Sequence, residues 1–126
     1  MTRNSKIRAN YQTVMLYLIV KDAAKFIAFT EKVFDARLAS SVMRKKTIMH
    51  VEIMIGECTI MLTDATDKYS ERPAGIFVYV DLADDTYKKA VASGATTVTE
   101  VSDQPYGRSG DVLDLFGITS WITSVK

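Results

Sequence analysis

The single histidine of this chain, His50, stands two residues before Glu52 in the stretch IMHVEIMIGECTIMLT. On an extended strand alternate side chains share a face, so the imidazole and the carboxylate lie side by side. Such a pair can do acid–base chemistry, the carboxylate favouring a protonated ring, or it can offer two donors to a metal ion. With no second histidine in the chain, a complete metal site would have to recruit carboxylates distant in sequence. No serine or cysteine nucleophile can be located beside the pair, and two polar residues wetting a cavity is the simpler reading. Arg108, in YGRSG, suits an acidic ligand group or a salt bridge with Asp111 or Asp114. Gly107 and Gly110 are too close together and too isolated for a phosphate-binding loop, and neither a dinucleotide fingerprint nor a serine-hydrolase elbow is present.

The whole chain bounds these possibilities. Its 126 residues fit one domain with a core of its own. Sixteen basic residues against fifteen acidic ones leave a net charge of +1, and the basic ones are scattered apart from Arg44, Lys45 and Lys46. A nucleic-acid surface needs a concentrated basic patch, so that class of partner is not expected. Cys58 is the only cysteine, which suits a reducing compartment, and it is expected to be a buried structural thiol. The start, MTRNSKIRAN, is polar, and the apolar run Val14 to Val20 is short for a membrane span and lacks a cleavage site. A soluble cytoplasmic protein with no membrane contact is the expectation.

The elements that must position these residues come in a repeated order. TVMLYLIV, Thr13 to Val20, reads as a strand; Asp22 then caps a helix through AAKFIAFTEKVF, which stops at Asp35, a residue that tolerates the left-handed conformation. Strands follow at Arg37 to Met43, Thr47 to Ile55 and Cys58 to Thr63. The second half repeats this: a strand in IFVYVD, a helix in ADDTYKKAVAS stopped by Gly94, then strands at Thr96 to Val101, near Asp111 to Leu113, and at Thr119 to Ser124, with DQPYGRSG read as a loop. Val20 aligns with Val80, and Asp35–Ala36 with Gly94–Ala95. A period near sixty residues describes two βαβββ modules, about 11–64 and 75–124, in one domain spanning 1–126.

A two-residue turn at Gly56–Glu57 fixes the central hairpin. It pairs Ile55 with Cys58, Met54 with Thr59, Ile53 with Ile60, Glu52 with Met61, Val51 with Leu62 and His50 with Thr63. One face then carries Val51, Ile53, Ile55, Cys58, Ile60 and Leu62, all apolar. The other carries His50, Glu52, Met54, Thr59, Met61 and Thr63, a mixed set suited to a wetter place than the core.

YLIVKDAAKFIAFTEKVFDA, MHVEIMIGECTIMLTD and DQPYGRSGDVLDLFGITSW together resemble the glyoxalase, bleomycin-resistance and dioxygenase superfamily, the vicinal oxygen chelates, and within it the PhnB-like branch. The resemblance covers Tyr11 to Thr123. Two departures are Leu115, where the branch usually has proline, and Asp35, where it usually has glycine. The resemblance implies an α+β fold, two βαβββ modules forming a curved mixed sheet around a concave cavity. It places Met15, Tyr17, Ile19, Phe77, Tyr79, Thr119, Trp121 and Thr123 on the cavity wall. It also implies four metal positions, which here hold Met15, Met61, Gly75 and Trp121; where this chain has Trp121 the family usually has a metal-binding glutamate. Thioethers, glycine and indole are poor partners for zinc, iron, manganese or nickel, so no metal and no other cofactor is expected.

What the resemblance and the residues then favour is a metal-independent protein that binds a small aromatic or amphipathic molecule, as resistance proteins do by sequestration. The expected binding residues are Tyr17, His50, Glu52, Met61, Phe77, Tyr79, Tyr106, Arg108 and Trp121. Two alternatives stand beside this: a metal-free lyase or isomerase with His50 and Glu52 as acid and base, and a dimeric interaction module without a ligand. A homodimer is expected in each case, because members of the superfamily are commonly dimers and open sheet edges invite a partner.

Overall fold

The computed structural model describes residues 7–44 and 47–125; Lys45 and Lys46 of the basic run, and residues 1–6 of the polar start, lie outside them. In chain order the elements are β1 (Tyr17–Val20), α1 (Ala23–Phe34), β2 (Arg37–Arg44), β3 (Thr47–Ile55), β4 (Cys58–Asp64), β5 (Ala74–Tyr79), α2 (Ala83–Ala92), β6 (Thr96–Gln104), β7 (Gly107–Leu113) and β8 (Ile118–Ser124). The βαβββ order occurs twice, in two compact units that change over between Glu71 and Arg72. Each unit has its own four-stranded sheet, ordered β1-β4-β3-β2 in the first and β5-β8-β7-β6 in the second. In both, the first strand runs parallel to the last and the other pairings are antiparallel, which makes the sheets mixed.

The helices begin and end by local chemistry. The Asp22 carboxylate accepts the Lys25 N–H at 3.1 Å, so the predicted N-cap of α1 is in place. Asp35 closes α1 in the left-handed conformation at φ 56°, and the following Ala36 N–H reaches back to the Thr30 carbonyl. Gly94, at φ 108°, does the same for α2. The side chain of Leu115, where the resemblance leads one to expect proline, lies where a Cβ on Gly94 would have to go, 2.9 Å from its Cδ1. The last strand of each module also holds the start of that module's helix. Asp64 Oδ1 accepts the Ala23 N–H at 2.8 Å, and sixty residues on Ser124 Oγ accepts the Ala83 N–H at 3.2 Å. Asp64 does more than its counterpart, because its other oxygen takes the Ile48 N–H at 2.9 Å and ties β3 to β4.

The first sheet buries its apolar side as the alternation predicts: Val51, Ile53, Ile60 and Leu62 are buried with Leu18 and Val20. Five of the six predicted hairpin pairs occur, from Ile55 with Cys58 to Val51 with Leu62. The sixth is absent, and the Thr63 hydroxyl donates to the Ile48 carbonyl at 3.2 Å. In the second unit α2 packs on β6, β7 and β8. The buried Asp114 organises the turn before β8, its Oδ1 accepting the Phe116 and Ile118 N–H groups at 2.8 and 3.0 Å. Burial pushes its carboxyl above the ordinary range, against the pull of those two amides.

Three expectations need correction. β1 starts at Tyr17, four residues later than expected, because the chain before it is drawn across the first sheet instead of pairing along it. DQPYGRSG is mostly strand: β6 runs to Gln104 and β7 starts at Gly107, joined by the two-residue turn Pro105–Tyr106. Cys58 is exposed, since it opens β4 beside the Gly56–Glu57 turn at the end of the sheet, where the apolar face runs out of cover. Among the described residues no helix is long and apolar enough to cross a membrane.

Candidate functional site

The mixed face of the first sheet is built around Glu52. Residues ahead of β1 cross this face: the Thr59 hydroxyl donates to the Asn10 carbonyl at 2.6 Å, and the Tyr11 hydroxyl donates to Glu52 Oε2 at 2.5 Å. That crossing explains why Glu52 and Thr59 are buried on a face the alternation marks as wetter. His50 Nε2 meets the same Glu52 oxygen at 2.8 Å, and the Tyr17 hydroxyl meets His50 Nδ1 at 3.2 Å. Tyr11 Oη in turn accepts from Arg8 at 3.4 Å.

These contacts favour an ionised Glu52. The Tyr11 hydrogen bond holds the Glu52 carboxyl below its ordinary range against the opposing effect of burial, and the His50 contact adds to it. An ionised carboxylate only accepts, so His50 donates from Nε2, and in the neutral ring Nδ1 accepts the Tyr17 O–H. The same Tyr11 hydrogen bond raises the Tyr11 phenol, since ionisation would remove the proton it donates to Glu52. Both nitrogens of His50 are thus engaged inside the protein. Of the residues expected to bind a ligand, Tyr17, His50 and Glu52 are joined by direct hydrogen bonds, and Met61 stands opposite Glu52 across the hairpin. Tyr11 was missed, and its only sequence signal is a tyrosine in a polar segment.

Beside this network, on the same face, a cleft of about 640 Å³ is lined by Tyr17, Ile19, Thr63, Asp64, Thr66, Lys68 and Tyr69. A sheet face and the loop after β4 form it together. Ile19 was expected on this wall; the loop residues were not.

The second unit presents an aromatic surface. Phe77, Tyr79 and Tyr106 are half exposed or more, with Phe77 and Tyr79 edge to face at 5.2 Å between ring centres and Phe77 and Tyr106 at 6.3 Å. Trp121 pairs with Phe77 across β5 and β8, and its six-membered ring lies over Gly75: a Cβ on Gly75 would come within 2.6 Å of Cζ3. The indole, 39% exposed, therefore covers the bare backbone of Gly75 and keeps part of its surface open. Thr123, further along the same face, is buried and bonded to Ser109 at 2.8 Å. Arg108 is on the other face, opposite Ser124, and its partners are Asp84 and Asp103 in place of the expected Asp111 or Asp114. Asp84, in the first turn of α2, binds its guanidinium through two N–H groups at 2.5 and 3.1 Å, so Arg108 secures the helix to the sheet.

The residues at the metal positions do not fit a metal. In the second unit the place of one donor is a glycine and the place of the other is an indole lying on it; in the first, both are thioethers. Among the described residues no three of His, Cys, Asp and Glu converge so as to hold an ion.

Two βαβββ modules, each with its own mixed four-stranded sheet, define a known class of fold. Residues 11–122 match the model of the Glyoxalase/Bleomycin resistance protein/Dioxygenase superfamily, and the chain belongs to that superfamily. An uncharacterised protein of Mycobacterium bovis is 32% identical over 114 residues, covering 80% of this chain and 75% of its own. Among solved structures, TioX from Micromonospora sp. ML1 superposes with a TM-score of 0.75 at 23% identity, covering 91% of this chain and all of that one. The PhnB protein from Bacillus cereus gives 0.72 at 15%, over 90% of this chain and 100% of its own. TnmS3, an antibiotic binding protein from Streptomyces sp. CB03234, gives 0.72 at 14%, over 95% of this chain and 100% of its own. At these identities the structures share the fold.

Proposed function

We propose that this protein binds a small, flat, largely apolar molecule on the exposed aromatic faces of its sheets and does so without a metal ion. The observation that carries the reading is Trp121: at a position where the superfamily uses a metal ligand, this chain lays an indole over a glycine and leaves it partly open beside Phe77 and Tyr79. Aromatic surfaces of this kind hold planar ligands by stacking and area burial, which need shape and no reaction. The name of TnmS3, a fold relative that binds an antibiotic, is in keeping with sequestration as the role. An acid–base enzyme is less well supported, because both nitrogens of His50 are bound to Glu52 and Tyr17 and neither is offered to a substrate.

The protein acts in the cytoplasm as a homodimer on this reading. The exposed thiol of Cys58 suits a reducing compartment, and the edge strand β2 exposes Leu38 and Val42, the sort of edge that a second subunit covers. The test of binding uses the only tryptophan as reporter. Titration with flat amphipathic compounds should give saturable quenching of Trp121 emission, and Tyr79→Ala should weaken the affinity about threefold to tenfold, the worth of one lost aromatic contact. Emission that no compound in the panel alters would contradict the proposal.

A further inference from the structure

We infer that the cleft of the first unit selects a planar aromatic anion, a carboxylate or an acidic phenol, and that Lys68 recognises its charge; this rests on the binding function proposed above and gives the ligand class for the face of the first sheet. The cleft has flat apolar walls, the rings of Tyr17 and Tyr69, each about half exposed, with Ile19 between hydroxyl-bearing neighbours. About 640 Å³ is the size of a site for a molecule of two or three rings.

Two charged side chains line the cleft, Asp64 and Lys68. Asp64 is the acidic residue of its lining, and both its oxygens are already taken by the N–H groups of Ala23, at the positive start of α1, and of Ile48. The carboxylate is thus tied into the fold, its charge opposed by two amides and the start of a helix. The Tyr17 hydroxyl is already engaged with His50 Nδ1. Lys68 is left as the basic side chain of the lining, its Nζ 5.4 Å from the centre of the Tyr69 ring. The loop that carries it is shaped in advance: the Thr66 N–H donates to the Tyr69 carbonyl at 2.8 Å and the Tyr69 N–H returns to the Thr66 hydroxyl at 3.1 Å. This closed turn presents the ammonium and the phenol ring together at the cleft, so a stacked ligand with an acidic edge meets both at once.

Calorimetric titration of the full chain with naphthoate and with its uncharged methyl ester isolates the charge from the ring system. Wild type should bind naphthoate about fivefold more tightly than the ester, the size of an ion pair at a solvent edge. Lys68→Gln should remove that preference while leaving ester affinity within twofold, and Lys68→Arg should keep it. Equal affinity of the two compounds for wild type, or a preference that survives in Lys68→Gln, would overturn the inference while leaving aromatic binding intact. If neither compound binds, the inference falls, and the binding function is decided separately by the Trp121 titration.

Discussion

A methyl group added at Gly75 is expected to unseat the only indole of the protein. The Cβ of Gly75→Ala would lie 2.6 Å from Cζ3 and 3.2 Å from Cη2 of Trp121, closer than carbon atoms approach, and a rigid bicyclic ring relieves that only by turning off the strand. The indole then loses the backbone it covers and gains solvent. Tryptophan emission should shift to longer wavelength, and affinity for a planar ligand should fall at least tenfold, about 1.4 kcal/mol. The variant keeps every side chain of the face, so its loss would report the seating of Trp121 and not the supply of aromatic groups. Unchanged emission together with unchanged affinity would mean that the ring does not lie where the binding account needs it.

Removing the Glu52 carboxylate should be the most costly change in the first unit. Glu52 is buried and accepts from both Tyr11 and His50, so Glu52→Ala leaves two donors without a partner beside a new void. A loss of about 2–3 kcal/mol in urea unfolding is expected. The conservative variant Glu52→Gln keeps the shape and gives up the titration. Because the folded carboxyl lies below its ordinary value of 4.5, ionised Glu52 stabilises the protein above that pH. This contribution disappears as the pH falls through the lowered folded value. Wild type should therefore exceed Glu52→Gln in stability at neutral pH and converge on it in acid; a difference that does not vary with pH would show that the carboxylate is not the ionised acceptor of this network.

Much of the fold is legible in the sequence because its signals are periodic and local. Alternation along IMHVEIMIGECTIMLT sets the hairpin register and both of its faces, and Asp22, Asp35 and Gly94 mark helix ends where the structure has them. The sixty-residue offset even relates Met15 to Gly75 and Met61 to Trp121, an exchange of sizes that makes sense once the indole is seen on the glycine. What stays hidden depends on contacts with no period. Tyr11 reaches Glu52 across forty-one residues and Arg108 reaches Asp84 across twenty-four, and neither partner carries a mark that singles it out among similar residues. The burial of Glu52 and Thr59 follows from that first contact, so a face with a polar pattern proved partly covered. Cys58 reads as core from its place in an apolar set, yet the set ends at the turn and leaves the thiol outside. Lys68 and Tyr69 lie in a loop whose composition gives no hint of the cleft they help to line.

The central claim, aromatic binding by a superfamily member without metal, is tested most directly by native mass spectrometry of freshly purified protein mixed with naphthoate. The account predicts ions at twice the 14.0 kDa chain mass that carry naphthoate and no mass for a transition metal. Ions that carry one zinc, iron, manganese or nickel per chain, lost in His50→Ala, and that take up no naphthoate would contradict it.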